Sequence, residues 1–98
     1  MSERPGWTFL TSHGSVLLEV AREPNATVRE IAERAGLTER QAHRVLADLV
    51  AAGYLQRRRV GRRNHYRVDD ALPMRHPSVA DRRVGELLKA LGSPRSTI

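Results

Sequence analysis

The sequence contains no cysteine, which excludes disulfide bonds, thiolate metal sites, cysteine-ligated iron–sulfur clusters and thiol catalysis. It also lacks any apolar run close to the roughly 20 residues that span a bilayer. The first residues have none of the apolar core of a signal peptide. We therefore expect a soluble, cytoplasmic protein with no membrane partner, and the length of 98 residues fits one domain.

Aromatic residues are scarce. The four are Trp7, Phe9, Tyr54 and Tyr66, and the apolar patterns around them indicate that at least three are buried. Proteins that read single-stranded RNA usually stack the bases on exposed aromatic side chains. The sequence therefore disfavours single-stranded RNA as a partner.

Motifs for catalysis or metal binding are missing as well. There is no Gly-rich phosphate loop, nucleophile elbow or H-E-x-x-H sequence, so we do not expect an enzyme. The four histidines, His13, His43, His65 and His76, lie on different predicted elements and form no H-x₃-H pair. We expect no metal site and no cofactor.

Acidic residues are absent from one stretch, and this stretch holds the whole net charge of +6. Residues 54–68, which we call the basic hairpin, contain six arginines and no acid, whereas the rest of the chain has eleven basic and eleven acidic residues. Six crowded cations repel one another unless an anion binds, and duplex DNA is a dense polyanion. The alternative is a solvated hairpin whose arginines only keep its edge from pairing with other chains.

Three helices are predicted ahead of the basic hairpin. Apolar residues between 12 and 23 repeat with helical spacing, and Pro24 ends that helix. Thr27 and Thr38 each open a capping box, T-x-x-E and T-x-x-Q, at the start of a further helix. About three residues separate these two helices, with Gly36 at the turn, so residues 27–53 form a helix-turn-helix.

The basic hairpin and a last helix complete the predicted domain. A turn centred on Gly61 and Arg62 pairs Leu55 with Val68 and Arg57 with Tyr66. Leu55, Tyr66 and Val68 then face the helices. Apolar spacing predicts a C-terminal helix at about 79–91, so the domain covers 7–91 between a flexible N-terminus (1–6) and a tail (92–98). The fold class is mainly α with a small β-hairpin.

This order of elements resembles a winged helix-turn-helix regulator. Residues 27–40, TVREIAERAGLTER, resemble the helix-turn-helix of the MarR and ArsR families of bacterial transcription factors, and residues 45–55, VLADLVAAGYL, resemble their exit into the wing. The resemblance implies a DNA-binding transcriptional regulator, usually a homodimer on a two-fold operator. The sequence does not identify a small-molecule effector.

The third helix and the basic hairpin supply the candidate DNA-binding residues. Arg40 and Arg44 are four residues apart and can each address a guanine or a phosphate, and Glu39 can accept from a cytosine amine. Gln41 either contacts DNA or only caps the helix. The full set is Thr38, Glu39, Arg40, Gln41, His43 and Arg44 from the helix-turn-helix, with Arg58, Arg59, Arg62, Arg63, Asn64 and His65 from the wing.

Apolar residues at both ends of the chain suggest a dimer interface. These are Trp7, Phe9, Leu10, Val84, Leu87, Leu88 and Leu91. They either close the core of the monomer or meet a second copy, and we favour a homodimer built from both ends.

One rival function belongs to a different class. A winged-helix adaptor would use the same fold to bind an acidic protein, and it would not bind DNA. The response of duplex binding to salt separates the two functions.

Overall fold

The computed structural model describes residues 6–92. The predicted flexible N-terminus and tail lie outside these residues, except for Gly6 and Gly92. The elements are α1 (Ser12–Arg22), α2 (Val28–Ala35), α3 (Glu39–Ala51), β1 (Leu55–Val60), β2 (Arg63–Val68), a short 3₁₀ helix (Pro77–Val79) and α4 (Val84–Ala90). The predicted fold class, mainly α with a small β-hairpin, is confirmed.

Both predicted capping boxes are present. The Thr27 hydroxyl accepts from the Glu30 amide at 3.1 Å, while the Thr27 amide donates to the Glu30 carboxylate at 2.9 Å. Thr38 and Gln41 make the same pair of bonds at 3.0 and 2.8 Å. Such boxes satisfy amide groups that have no partner within the helix, and they fix where α2 and α3 begin.

Gly36 ends α2 and makes the turn of the helix-turn-helix. Its φ of 72° is left-handed, a conformation that costs glycine little, and the Leu37 amide closes the turn by donating to the Ala32 carbonyl at 2.8 Å. The Leu37 side chain packs against the core. The sharp turn between two capped helices is therefore as predicted.

The core lies between the three helices, the base of the hairpin and α4. Its largest fully buried side chains are Val16, Val20, Ile31 and Leu55. Val84 and Leu88 bring α4 into the same cluster. This arrangement leaves the outer face of α3 and most of the hairpin outside the core.

The strand register is the predicted one. Leu55 pairs with Val68 and Arg57 with Tyr66 in an antiparallel hairpin. Leu55 and Tyr66 are buried and Val68 is half-buried. The hairpin thus packs on the body through its base, while β1 is exposed from Gln56 onward.

The C-terminal helix is shorter than the predicted 79–91, because α4 begins only at Val84. The preceding segment is held by backbone bonds, from the Met74 amide to the Arg82 carbonyl at 2.9 Å and from the Val84 amide to the Leu72 carbonyl at 2.8 Å. These bonds hold the residues before α4 in an irregular loop. The apolar spacing gave no sign of this pairing.

The expectation that at least three aromatic residues are buried is wrong. Tyr54 and Tyr66 are buried, but Trp7 is 71 % exposed and Phe9 is 92 % exposed. The rings of Trp7 and Phe9 meet edge to face, with 5.0 Å between their centroids. They pack on each other before α1 begins, and not in the core.

No helix among residues 6–92 combines the length and the apolar character needed to cross a bilayer.

Gly85 lies at a close approach between α4 and the loop before it. A Cβ atom at this position would stand 2.8 Å from both the Cβ and the carbonyl oxygen of Asp70, whereas at Gly14 in α1 it would stand 3.4 Å from the Cβ of Leu10. We expect Gly85→Ala to lower the free energy of unfolding by about 1–3 kcal/mol through overpacking. Gly14→Ala is the matched control and should change it by less than about 1 kcal/mol. Urea unfolding of both variants checks this, and equal effects would contradict it.

Candidate nucleic-acid interface

The first two turns of α3 present an open polar face. Glu39, Arg40, His43 and Arg44 are all exposed, whereas Ala42, Val45, Leu46 and Leu49 are buried on the opposite face. The buried face fixes how the helix is rotated about its axis. The exposed face is therefore held toward solvent and is accessible to a groove of DNA.

The arginines of this face and of the basic hairpin form no ion pair within the described part of the chain. The ion pairs found there join Arg22 to Glu19 and Arg82 to Glu86, and a hydrogen-bond contact joins His13 to Asp48. None of them includes Arg40, Arg44 or an arginine of residues 54–68. Their charge is not neutralised by the fold, so it remains available to an external anion.

Thr38 and Gln41 serve the helix start first. The Gln41 side-chain oxygen accepts from the Thr38 amide, and the Thr38 hydroxyl accepts from the Gln41 amide. The side-chain NH₂ of Gln41 keeps its donors. Capping thus fixes where Gln41 lies and still leaves it a group for a contact with DNA.

The wing candidates do not share one surface. The register places Arg58 opposite His65 on one face of the hairpin, and Arg59 opposite Asn64 on the other. Arg62 is exposed at the tip, next to Gly61. Arg58 and Arg59 are exposed, whereas Asn64 and His65 are half-buried. All of these wing candidates therefore lie on the one hairpin, but they are distributed over its two faces and its tip.

Arg63 differs from its neighbours because its guanidinium bonds outside the hairpin, whereas that of Arg59 donates to Gly61 within it. Arg63 donates to the backbone carbonyl oxygen of Asn25, between α1 and α2, at 3.0 Å. The acceptor is neutral, so the charge of Arg63 is kept while its position is fixed.

Two further arginines belong to this cluster and were not singled out from the sequence. Arg57 and Arg67 are exposed on the two strands of the hairpin. The signal that includes them is the count of six arginines in residues 54–68. Sequence reasoning used that count for the charge of the hairpin as a whole and did not name Arg57 or Arg67 as contacts.

Asp48 leaves the row of polar residues on α3 to contact α1. Its carboxylate lies 2.8 Å from Nε2 of His13, 35 residues away in the chain. The contact ties the start of α1 to the second half of α3. It also engages an acidic group that lies four residues after Arg44 on α3.

Glu30 remains a charged capping group at the start of α2. The hydrogen bond from the Thr27 amide holds the pKa of Glu30 below its usual value, and the nearby charges of Arg34 and Arg63 act in the same direction. The carboxylate therefore stays ionised and keeps its bond to the helix start.

Across residues 6–92, no three histidine, aspartate or glutamate side chains come together in a way that could hold a metal ion.

A capped helix after a tight turn, with an exposed outer face, followed by a two-stranded basic hairpin, defines a winged helix-turn-helix protein. The solved structure of T. potens IscR has the same fold, with a TM-score of 0.58 and 16 % sequence identity over 95 % of this chain and 94 % of that chain. The profile of the MarR family matches residues 8–63, more than half of the chain. The protein therefore belongs to the MarR family.

The family places the protein among DNA-binding transcriptional regulators and not among enzymes. The comparison with curated proteins found no match.

Proposed function

We propose that this protein binds double-stranded DNA with the first half of α3 in the major groove and the basic hairpin on the flanking backbone. The observation that carries the proposal is the open cationic face of Arg40 and Arg44, followed by an arginine-rich hairpin, with none of these arginines in an ion pair among residues 6–92. An α-helix fits the major groove of B-DNA, and the N-terminal residues of such a helix reach the base edges.

The residues of α3 make different contacts with DNA according to the chemistry of their side chains. Arg40 and Arg44 present planar forks of donors that match guanine O6 and N7, and Glu39 is an acceptor for a cytosine amine. His43 lies between the two arginines and adds a further contact. Thr38 and Gln41 fix the start of the helix, where the amides that the capping box leaves free favour a phosphate.

The hairpin supplies charge beside the bases that α3 reads. Arg58, Arg59 and Arg62 neutralise phosphates, and Arg62 at the tip has the reach to enter a minor groove, above all a narrow one. Asn64 and His65 are half-buried, so they contact the DNA closer to the strands of the hairpin than these arginines do. These contacts add affinity for any duplex, whereas α3 adds sequence preference.

A salt titration with a random duplex tests this function. Each phosphate that is neutralised lowers the logarithm of the binding constant by roughly 0.9 per tenfold rise in salt. We expect a steep dependence for this protein. Weak binding with a flat response would favour a winged-helix adaptor whose hairpin meets an acidic protein partner.

Arg44→Ala is expected to remove sequence discrimination. Loss of a bidentate arginine contact to guanine costs about 1–3 kcal/mol at the base pair that it reads. Binding to the preferred duplex should therefore fall to nearly that of a duplex changed at one guanine. The measurement is fluorescence anisotropy on both duplexes, and an equal loss on all sequences would assign Arg44 to the backbone instead.

We also propose a cytoplasmic homodimer. Phe9 and Leu10 from one end of the domain and Leu87 from the other line one groove, with a cavity volume of about 870 Å³. Trp7 and Leu91 are the other exposed apolar side chains at these ends. Val84 and Leu88 are buried in the monomer's own core, so they support this surface from below and offer a partner little area.

The dimer predicts a two-fold binding site. Two copies of α3 related by a dyad reach half-sites about one helical turn, or 34–36 Å, apart. Selection of bound sequences from a random duplex pool should yield a palindrome with that spacing. A single, non-repeated motif together with a monomer in sedimentation would contradict the dimer and leave DNA binding intact.

A further inference from the structure

Arg63 makes a contact that links two distant parts of the chain. Its guanidinium donates to the Asn25 carbonyl oxygen across 38 residues. Asn25 lies in the connection between α1 and α2, whereas Arg63 is the first residue of β2, directly after the hairpin turn. The bond therefore joins the distal end of the hairpin to the helical body.

The distal end has few other attachments. Within the described residues the sheet has only two strands, and the buried hairpin residues, Tyr54, Leu55 and Tyr66, lie toward its base. Val60, which pairs with Arg63 beside the turn, is 51 % exposed. Between residues 59 and 64, the bond from Arg63 is the one described hydrogen bond that reaches outside the hairpin.

The chemistry of the bond suits a tether. A two-stranded hairpin alone is at best marginally stable in water, so a contact at its far end limits how far it moves. The acceptor is a backbone carbonyl, which no side-chain substitution at position 25 removes. Glu30 adds an attraction of opposite charge, since the pKa of its carboxyl is lowered in part by Arg63.

We infer that Arg63 is a positioning residue that holds the hairpin against the α1–α2 connection and so sets where Arg58, Arg59 and Arg62 meet DNA. This role rests on the DNA-binding function proposed above. It departs from the sequence-based expectation that Arg63, like Arg62, serves as a phosphate contact. The two neighbouring arginines then have different tasks, with Arg62 reaching outward and Arg63 reaching back to the body.

Amide hydrogen exchange in the free protein tests the tether without DNA. Arg63→Met keeps an apolar stem but has no donor, and we expect the amides of residues 59–64 to exchange about threefold to tenfold faster, the size expected for one lost hydrogen bond. Arg62→Ala is the matched control at the next position and should leave exchange unchanged. Exchange in Arg63→Met equal to that of the unmodified protein would overturn the inference.

A conservative variant separates the hydrogen bond from a general effect on folding. Arg63→Lys keeps a donor and the charge on a stem of similar length, so exchange should return toward that of the unmodified protein. Equal exchange in Arg63→Lys and Arg63→Met would also overturn the inference.

Duplex binding by the same variants then tests whether the tether matters for DNA. Arg62→Ala should reduce the salt slope by about 0.9, as for one lost phosphate contact. Arg63→Met should bind duplex more weakly than Arg63→Lys. Equal affinities would show that hairpin position has no effect on binding. A protein that binds no duplex at all would contradict the proposed function, while the exchange result on Arg63 would still stand by itself.

Discussion

Replacing Arg58, Arg59 and Arg62 together with alanine is expected to weaken binding to any duplex about 100-fold near physiological salt. The three side chains are exposed and have no acidic partner within residues 6–92, so the fold loses little when they are removed. Each neutralised phosphate contributes about 0.9 to the slope of log K against log salt, so the slope should fall by about 2.7. Anisotropy titrations at several salt concentrations measure both quantities.

Lys89→Ala is the control for the effect of removing a positive charge from anywhere on the protein. Lys89 is an exposed cation on α4, outside the hairpin, so its removal should leave the salt slope unchanged. Thermal unfolding of the triple variant checks that the hairpin is intact. An unchanged slope in the triple variant would mean that the hairpin arginines do not contact DNA.

Leu55→Ala is expected to lower the free energy of unfolding by about 2–5 kcal/mol. Leu55 is the first residue of β1 and is 1 % exposed, so truncation leaves a cavity where the hairpin meets the helices. A domain of this size has only about 5–15 kcal/mol of stability in total. At about 4–8 °C per kcal/mol, Tm should fall by at least about 8 °C.

Leu91→Ala is the matched leucine substitution for this second prediction. Leu91 lies at the end of α4 and is 38 % exposed, so less apolar area returns to water when its side chain is shortened. We expect a loss below about 1.5 kcal/mol. Equal losses in the two variants would contradict the assignment of Leu55 to the core.

Local signals explain why the helix-turn-helix and the hairpin were predictable. The capping boxes at Thr27 and Thr38 and the left-handed Gly36 act within four residues, so the sequence alone reveals them. The register of the hairpin follows from Gly61 and from the alternation that buries Leu55 and Tyr66. In each case, the residues that determine the structure are close together in the chain.

The features that sequence reasoning missed depend on distant partners. The start of α4 is set by backbone bonds to residues 72–74, and Asp48 turns to His13 across 35 residues. The bond from Arg63 to Asn25 uses a backbone carbonyl, which leaves no trace in residue types. Trp7 and Phe9 are large apolar residues of the kind that fill a core, yet they are 71 % and 92 % exposed and their rings meet edge to face.

Amide exchange with and without a duplex tests the central claim most directly, namely that α3 and the hairpin contact one DNA molecule together. We predict slower exchange on DNA binding at the start of α3, around Arg40 to Arg44, and at the hairpin, around Arg58 to His65. The groove beside Leu87 and the start of α1 should show no DNA-dependent change of that size. Protection confined to that groove, with both cationic elements unaffected by saturating duplex, would contradict the claim.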